Sequence, residues 1–113
     1  MKFKDDDMIV QAAMKIVIEA GDARNELSKA MDCVSAFNFT ESREYIKKAQ
    51  DHISSAHNAQ TEIIQGEIAG KEHIKPSFLF NHAQDTLMTV MSEVHLGEKM
   101  IDVFEKFAEK IQA

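Results

Sequence analysis

Apolar residues recur every three or four positions along most of the chain, and this spacing limits the fold more than any other feature. One face of an α-helix returns about every 3.6 residues, whereas a half-buried strand alternates residue by residue. The first segment shows the helical pattern in Met8, Ile9, Ala12, Ala13, Ile16, Val17, Ala20, Leu27, Met31 and Val34. No strand-like alternation, internal repeat or low-complexity tract stands out. The sequence therefore predicts an all-α protein.

Two breaks divide this pattern into three helical segments. In AFNFTESREY, Thr40 resembles a helix start, although position 43 is Arg rather than the Glu of a full capping box. In EIAGKEHIKPS, Gly70 favours the end of the second helix, and Pro76 suits the first turn of a third that runs to about Ile111. Three long helices with two short connections predict an antiparallel three-helix bundle. The length of 113 residues suits a single domain, 1–113.

Two further features belong to the first helix. Asp5–Asp7 are suitable capping residues and favour a helix N-terminus at this point. Gly21 interrupts the helical pattern, and glycine costs about 1 kcal/mol relative to alanine in a helix interior. A kink or a close contact between helices would account for it.

Charge and cysteine content exclude several classes of protein. The formal net charge of −6 argues against nucleic acid or an anionic membrane as a main partner, because both require a basic face. No segment approaches the roughly 18 to 20 apolar residues of a membrane span, and the first residues lack a signal-peptide run. Cys33 is the one cysteine and forms no internal disulfide, so we expect a small packed residue rather than a reactive thiol. We expect a cytoplasmic protein without direct membrane insertion.

The third helix carries two seams of residues at helical spacing. The first, the core seam, is typical of a face packed on two other helices. It consists of Phe80, Ala83, Leu87, Val90, Val94, Ile101, Phe104, Ala108 and Ile111. The second seam follows a nearly heptad spacing, with a polar first half and an apolar second half. It consists of His82, Asp85, Thr89, Ser92, Leu96, Met100, Val103 and Phe107.

The second seam has two interpretations. A solvated row would hardly carry Leu96, Val103 and Phe107, so the seam faces another subunit of a homo-oligomer or belongs to a wide core face inside one bundle. The spacing slightly favours the oligomer and excludes neither. In a closed oligomer, copies of Asp85 would meet at the axis, and two unit charges about 4 Å apart repel by about 4 kcal/mol at an effective dielectric of about 20. Such a cluster requires shared protons or a hard cation such as Mg²⁺.

His82 is the histidine with the clearest chemical context. It precedes Asp85 by one helical turn, so the two side chains share a face, and a neutral imidazole is a good nucleophile near neutral pH. This pair is compatible with a polar or structural pair, a weak metal-ligand set, or a phosphoryl-accepting histidine, and the spacing alone does not choose among them.

The other histidines have simpler interpretations. His52 and His95 lack an acidic residue at the three-residue spacing. His73 is predicted to lie in a loop. His57 lies near a helical face that also carries Gln60, and we expect it to be a structural hydrogen-bonding group.

Three motifs together resemble the lactose/cellobiose-type IIA component of the bacterial phosphoenolpyruvate-dependent sugar phosphotransferase system. They are IEAGDAR (Ile18–Arg24), AHNAQTEIIQGEIAG (Ala56–Gly70) and FNHAQDTLMT (Phe80–Thr89). One motif falls in each predicted helix, in the order of the family, and the similarity covers nearly the full chain. The set is specific, whereas any one motif alone is not.

The resemblance implies a homotrimer of three-helix protomers, which together form a nine-helix bundle. It implies that His82 accepts a phosphoryl group on Nε2 from the histidine phosphocarrier protein and passes it to a cysteine of a IIB component during uptake of a lactose/cellobiose-type sugar. It also implies that Asp85 lies at the trimer axis, where its copies share a divalent cation, expected to be one Mg²⁺ per trimer. Family members often carry His where this chain has Thr86 and Asn where it has Asp22. Neither departure removes the acceptor or the axial carboxylate.

Two other classes of function remain open at the level of the residues. A helical oligomeric scaffold would use the polar half of the second seam to set register and oligomer number. A metal-binding helical protein would use His82 and Asp85 directly as ligands. The sugar, and the surface residues that contact each partner, leave no signature in a single sequence.

Overall fold

Three long helices make up the described part of the chain. The computed structural model describes residues 2–68 and 78–112, with side chains for 7–66 and 78–112. Helix α1 spans Lys2–Ser35, α2 spans Phe39–Ile68 and α3 spans Phe78–Gln112, and the described residues contain no strand. The predicted all-α, three-helix fold is confirmed.

The order of the contacts between helices shows that neighbours in the chain run antiparallel. Ser42 of α2 contacts Ala30 of α1, whereas His52, further along α2, contacts Glu19, nearer the start of α1. Contacts from α2 to α3 run in the same opposed order, through the pairs Gln50–Glu98 and Gln60–Gln84. The result is a rod of 65 × 20 × 18 Å.

Buried side chains form three clusters that follow one another along the bundle axis. The first contains Ile9, Ala13, Ile16, Ala56, Ala59, Ile63, Phe80, Ala83 and Leu87. The second contains Ala20, Ala23, Ala49, Val90 and Val94, and the third contains Ala30, Ile46 and Ile101. Many of these residues are alanines, which let helices approach closely but bury little apolar area each. The core within one chain is therefore thin.

The predicted core seam of α3 is confirmed for most of its length. Its members Phe80, Ala83, Leu87, Val90, Val94, Ile101 and Ala108 are buried. The prediction is wrong for Phe104 and Ile111, which are 43% and 64% exposed. Arg43, near the start of α2, already contacts Glu105 of α3. The last turns of α3 therefore lie at and beyond the end of the other two helices, where little covers them.

The side chain of Leu27 on α1 packs directly onto Gly97 of α3, a feature that the spacing of apolar residues did not reveal. Gly97 is buried, and a Cβ atom added to it would lie 2.5 Å from Cδ1 of Leu27. Gly21 is different, because it is exposed and nothing lies within 4 Å of an added Cβ. The suggested close contact at Gly21 is therefore absent among the described residues of one chain.

The connection between α1 and α2 is a Schellman motif followed directly by an N-cap. The N–H of Asn38 donates to the carbonyl of Cys33 at 2.8 Å, and the N–H of Phe37 donates to that of Val34 at 2.9 Å. Phe37 adopts a φ of 59°, a left-handed conformation that costs a non-glycine residue about 1–2 kcal/mol. Its ring meets that of Phe39 edge-on, with centroids 6.1 Å apart.

Asn38 also starts the second helix. Its Oδ1 accepts a hydrogen bond from the N–H of Glu41 at 3.3 Å, and its Nδ2 donates to Glu41 Oε2 at 2.8 Å. This is a variant of the capping box, two residues before the predicted start at Thr40. The prediction of Thr40 was wrong because threonine and asparagine are both good caps, and the left-handed turn at Phe37 decides which one is used.

The other predicted helix ends have mixed outcomes. Helix α1 begins at Lys2, so Asp5–Asp7 lie within its first turns rather than at the cap. Helix α3 ends at Gln112, one residue beyond the predicted Ile111. Gly70 and Pro76 lie outside the described residues.

Replacing Asn38 with alanine should remove the side-chain hydrogen bonds at the start of α2 and leave the backbone bonds of the Schellman motif in place. We expect the free energy of unfolding to fall by about 1 kcal/mol, the usual cost of losing an N-cap side chain. Urea denaturation at a fixed protein concentration measures this change. Asn38→Ser keeps a capping oxygen and should recover most of the loss. Equal stability of Asn38→Ala and the parent would show that the cap contributes nothing.

Candidate functional site

The second seam of α3 lies on the surface of the chain along its whole length. Its polar members His82, Asp85, Thr89 and Ser92 are exposed. In its apolar half, Leu96 is 61% exposed, Val103 62% and Phe107 57%. The interpretation of this seam as a wide core face inside one bundle is therefore wrong. An exposed apolar stripe of this length marks an interaction surface.

Packing of the core seam sets the direction in which the polar half of the second seam points. Ala83 and Leu87 are completely buried in the first cluster. Because residues four apart share one face of a helix, His82 and Asp85 lie on a different face, turned away from the core. Gln60 of α2 donates to Gln84 of α3 at 3.0 Å between these positions. This amide pair fixes α3 against α2 next to the histidine.

His82 presents an imidazole that is free to react with another molecule. The side chain is exposed and makes no hydrogen bond or ion pair with the described residues. Its backbone carbonyl accepts the hydroxyl of Thr86 at 2.9 Å. The polar group of Thr86 is thus used by the helix itself. Thr86 therefore does not pair with the imidazole, which has no partner among the side chains described for residues 7–66 and 78–112.

Asp85 lies one turn after His82 on the same exposed seam. Its carboxylate makes no ion pair with the described residues, and its backbone carbonyl accepts the hydroxyl of Thr89 at 2.9 Å. Among the described residues, no group of three potential metal ligands includes Asp85. The described residues of one chain therefore offer no set of three ligands here, and copies of Asp85 from other chains would have to complete a cation site. An all-oxygen set of that kind suits Mg²⁺.

Arg24 and Glu93 form an ion pair that sequence reasoning missed. Nε of Arg24 donates to Oε1 of Glu93 at 2.9 Å, and Nη2 donates to Oε2 at 3.1 Å, so the pair is bidentate and joins α1 to α3. The hydrogen bond to Glu93 raises the pKa of Arg24 above its ordinary value. Both side chains are about half exposed, so the pair orients the helices more than it stabilises them. A spacing of 69 residues gives no sequence signal.

The remaining histidines differ from expectation in two places. His57 is exposed and its imidazole has no hydrogen bond within the described ranges, so the predicted hydrogen-bonding role is wrong. His52 lies 3.3 Å from Glu19 on α1, a partner that spacing along one helix could not show. His95 is exposed on α3, and His73 lies outside the described residues.

Cys33 is a half-buried thiol near the end of α1. Burial raises its pKa above the ordinary value, and the carboxylates of Glu41 and Asp32 raise it further. The thiol therefore stays protonated at neutral pH, which agrees with a packed rather than a reactive residue.

Within residues 2–68 and 78–112, no helix combines the length and the apolar content needed to cross a bilayer.

Comparison with known proteins assigns this geometry to a family. A lactose-specific EIIA component of the phosphotransferase system (PTS) from Lacticaseibacillus casei is 37% identical over 101 residues, which is 89% of each chain. The crystal structure of the PTS cellobiose-specific enzyme IIA from Bacillus anthracis superposes with a TM-score of 0.83 at 31% identity, covering 90% of this chain and 93% of that one. The IIA(Chitobiose) of Escherichia coli, solved in complex with HPr, gives 0.77 at 28% identity, with 88% and 96% covered. Residues 11–105 match the family described as "PTS system, Lactose/Cellobiose specific IIA subunit". The chain belongs to this family of phosphotransferase components.

Proposed function

We propose that this protein is a cytoplasmic phosphoryl carrier in the uptake of a lactose/cellobiose-type sugar, and that His82 is its acceptor. The observation that carries the proposal is the exposed imidazole of His82, which has no partner among the described residues and lies within the region that matches the family. HPr, the histidine phosphocarrier protein, is the proposed donor, because the IIA(Chitobiose) of Escherichia coli was solved in complex with it. A cysteine of a IIB component is the proposed recipient.

Both transfers are direct displacements at phosphorus. In the first, a lone pair on the His82 imidazole, expected to be that of Nε2, forms an N–P bond while the N–P bond to the donor histidine breaks and leaves its electron pair on the donor. In the second, a thiolate of the IIB cysteine forms an S–P bond while the N–P bond at His82 breaks, and a neutral imidazole returns. Catalysis of such transfers consists mainly of positioning and electrostatic stabilisation. An exposed position on a helix supplies the positioning.

The exposed second seam supports assembly as a homotrimer around α3. Its heptad-like spacing is that of helices packed side by side, with Leu96, Val103 and Phe107 as the apolar contacts. The thin core of one chain adds a reason for association, because a small domain gains stability by burying surface against copies of itself.

Asp85 is the proposed ligand of a divalent cation shared by the three chains. Phosphohistidine carries close to two negative charges at neutral pH, and Asp85 lies one helical turn from His82. A bound Mg²⁺ would offset the repulsion among the carboxylates and between them and the phosphoryl group. This requirement favours a cation over shared protons.

Incubation with phosphoenolpyruvate and the general phosphocarrier proteins should place one acid-labile phosphate on each chain, and His82→Ala should abolish it. The reason is that His82 supplies the attacking lone pair. Labelled phosphate retained on denaturing gels measures the product. His57→Ala and His95→Ala, both at exposed histidines, are the matched controls and should be labelled like the parent.

Two results would contradict this assignment. Labelling of His82→Ala at the parental level would move the acceptor elsewhere. An unlabelled parent chain that still assembles would favour the scaffold interpretation of the second seam.

A charge placed in the apolar half of the second seam should break the assembly. Sedimentation of the parent should give the mass of three chains, and Val103→Glu should give smaller species because a buried carboxylate at the interface is costly. Lys47→Glu, at an exposed position on α2, changes the net charge by twice as much and should remain trimeric. A trimeric Val103→Glu would place the interface on another face.

Asp85→Asn should remove the response of the trimer to Mg²⁺. In the parent, added Mg²⁺ should raise the melting temperature, since it binds the assembled state in preference to the unfolded chain. The variant lacks the charged ligand and should melt at the same temperature with and without Mg²⁺. A parent that does not respond to Mg²⁺, or a variant that responds like the parent, would show that Asp85 does not hold the cation.

A further inference from the structure

Glu19, Asp22 and His52 form a cluster of potential metal ligands away from the second seam. Glu19 and Asp22 lie one turn apart on α1, and His52 comes from the facing turn of α2. One ligand atom from each residue lies within 4.8 Å of the other two. Among the described residues this is the one group of three that meets this condition. It joins two helices within a single chain.

The distance between His52 and Glu19 is compatible with a shared metal ion as well as with a hydrogen bond. Nδ1 of His52 lies 3.3 Å from Oε1 of Glu19, which is longer than a usual charge-assisted hydrogen bond of about 2.7–2.9 Å. Two ligands each about 2.0–2.1 Å from a tetrahedral Zn²⁺ are about 3.3–3.4 Å apart. The His52 and Glu19 atoms already have the separation of one edge of that tetrahedron.

The surroundings of Glu19 favour its carboxylate form, and the cluster is open enough for an ion to enter. A hydrogen bond from Ser55 lowers the pKa of Glu19, opposed by burial and assisted by His52 and by the charge of Lys15. Glu19 is therefore ionised at neutral pH. The side chains of Glu19 and His52 are 20% and 32% exposed, so the site is partly desolvated but open to solvent. Lys15 is the cation that an incoming metal ion would face.

We propose that Glu19, Asp22 and His52 bind one Zn²⁺ per chain, with water completing the tetrahedron, and that the ion clamps α1 to α2. An imidazole nitrogen with two carboxylates is a ligand set that suits zinc. The proposed Asp85 site differs from it in the type of ligand and in the number of ions bound per chain. It offers oxygen ligands only, and it would hold one ion for three chains rather than one for each. The zinc site does not depend on the phosphoryl-carrier proposal.

Calorimetric titration of the metal-free protein with Zn²⁺ tests the site. The parent should take up one ion per chain, and so should Asp85→Asn. His52→Gln and Asp22→Asn should each weaken binding at least tenfold, because loss of an outer hydrogen-bonding partner of a ligand alone costs about 10–100-fold. His57→Gln, at an exposed histidine on the same helix, should bind zinc like the parent. Far-UV circular dichroism checks that each variant is folded.

A second readout tests the clamp. Zinc should raise the melting temperature of the parent and of His57→Gln but leave that of His52→Gln unchanged. Parental affinity in His52→Gln, equal losses in His52→Gln and His57→Gln, or one ion for three parent chains would each overturn the proposal. Any of these results leaves the labelling test of His82 unaffected.

Discussion

The packing of α3 against the other two helices fixes the rotation of α3 about its own axis. Three of its residues are completely buried there, namely Ala83, Leu87 and Val90. The roles proposed for His82 and Asp85 depend on that rotation. A turn of α3 by one residue in one direction would carry the whole second seam, His82 included, into the core. Because interiors are closely packed, such a turn would leave cavities and overlaps. The core therefore aims the histidine outward.

The core that sets this orientation contains many alanines. Its alanines allow α1 to approach its neighbours closely, and Gly97 lets α3 approach Leu27 more closely than any side chain would permit. On its other face, α3 exposes further large apolar side chains, such as Leu96 and Phe107. The apolar surface of the chain is thus divided between an internal face, where alanines alternate with large residues such as Leu87 and Ile101, and an external face on α3. The external face is the part available for association.

Periodicity was sufficient to predict the three helices and most of the buried face of α3, because each depends only on spacing along one segment. It also separated the second seam from the core seam, although only the structure showed that this seam is exposed in one chain. The chemistry of His82 and Asp85 came from resemblance, since spacing leaves their role open.

Contacts between segments were not predictable. Such contacts depend on how far one helix is shifted along another, which one sequence does not encode locally. They include the pairs Arg24–Glu93 and Glu19–His52 and the contact at Gly97. At Asn38 the failure was local, because two good capping residues lie two positions apart and the backbone at Phe37 chooses between them.

The tight connection at Asn38 also has a consequence for how the chain folds. One asparagine ends α1 and begins α2, so the two helices meet through contacts between residues near in sequence, such as Ser42 with Ala30, twelve positions apart. The polar contacts that hold α3 join residues 24 to 69 positions apart. Closing a longer loop costs more conformational entropy, and long-range contacts slow folding. The hairpin of α1 and α2 can therefore form as a local unit onto which α3 docks, and His82 acquires its outward orientation in that later, long-range step.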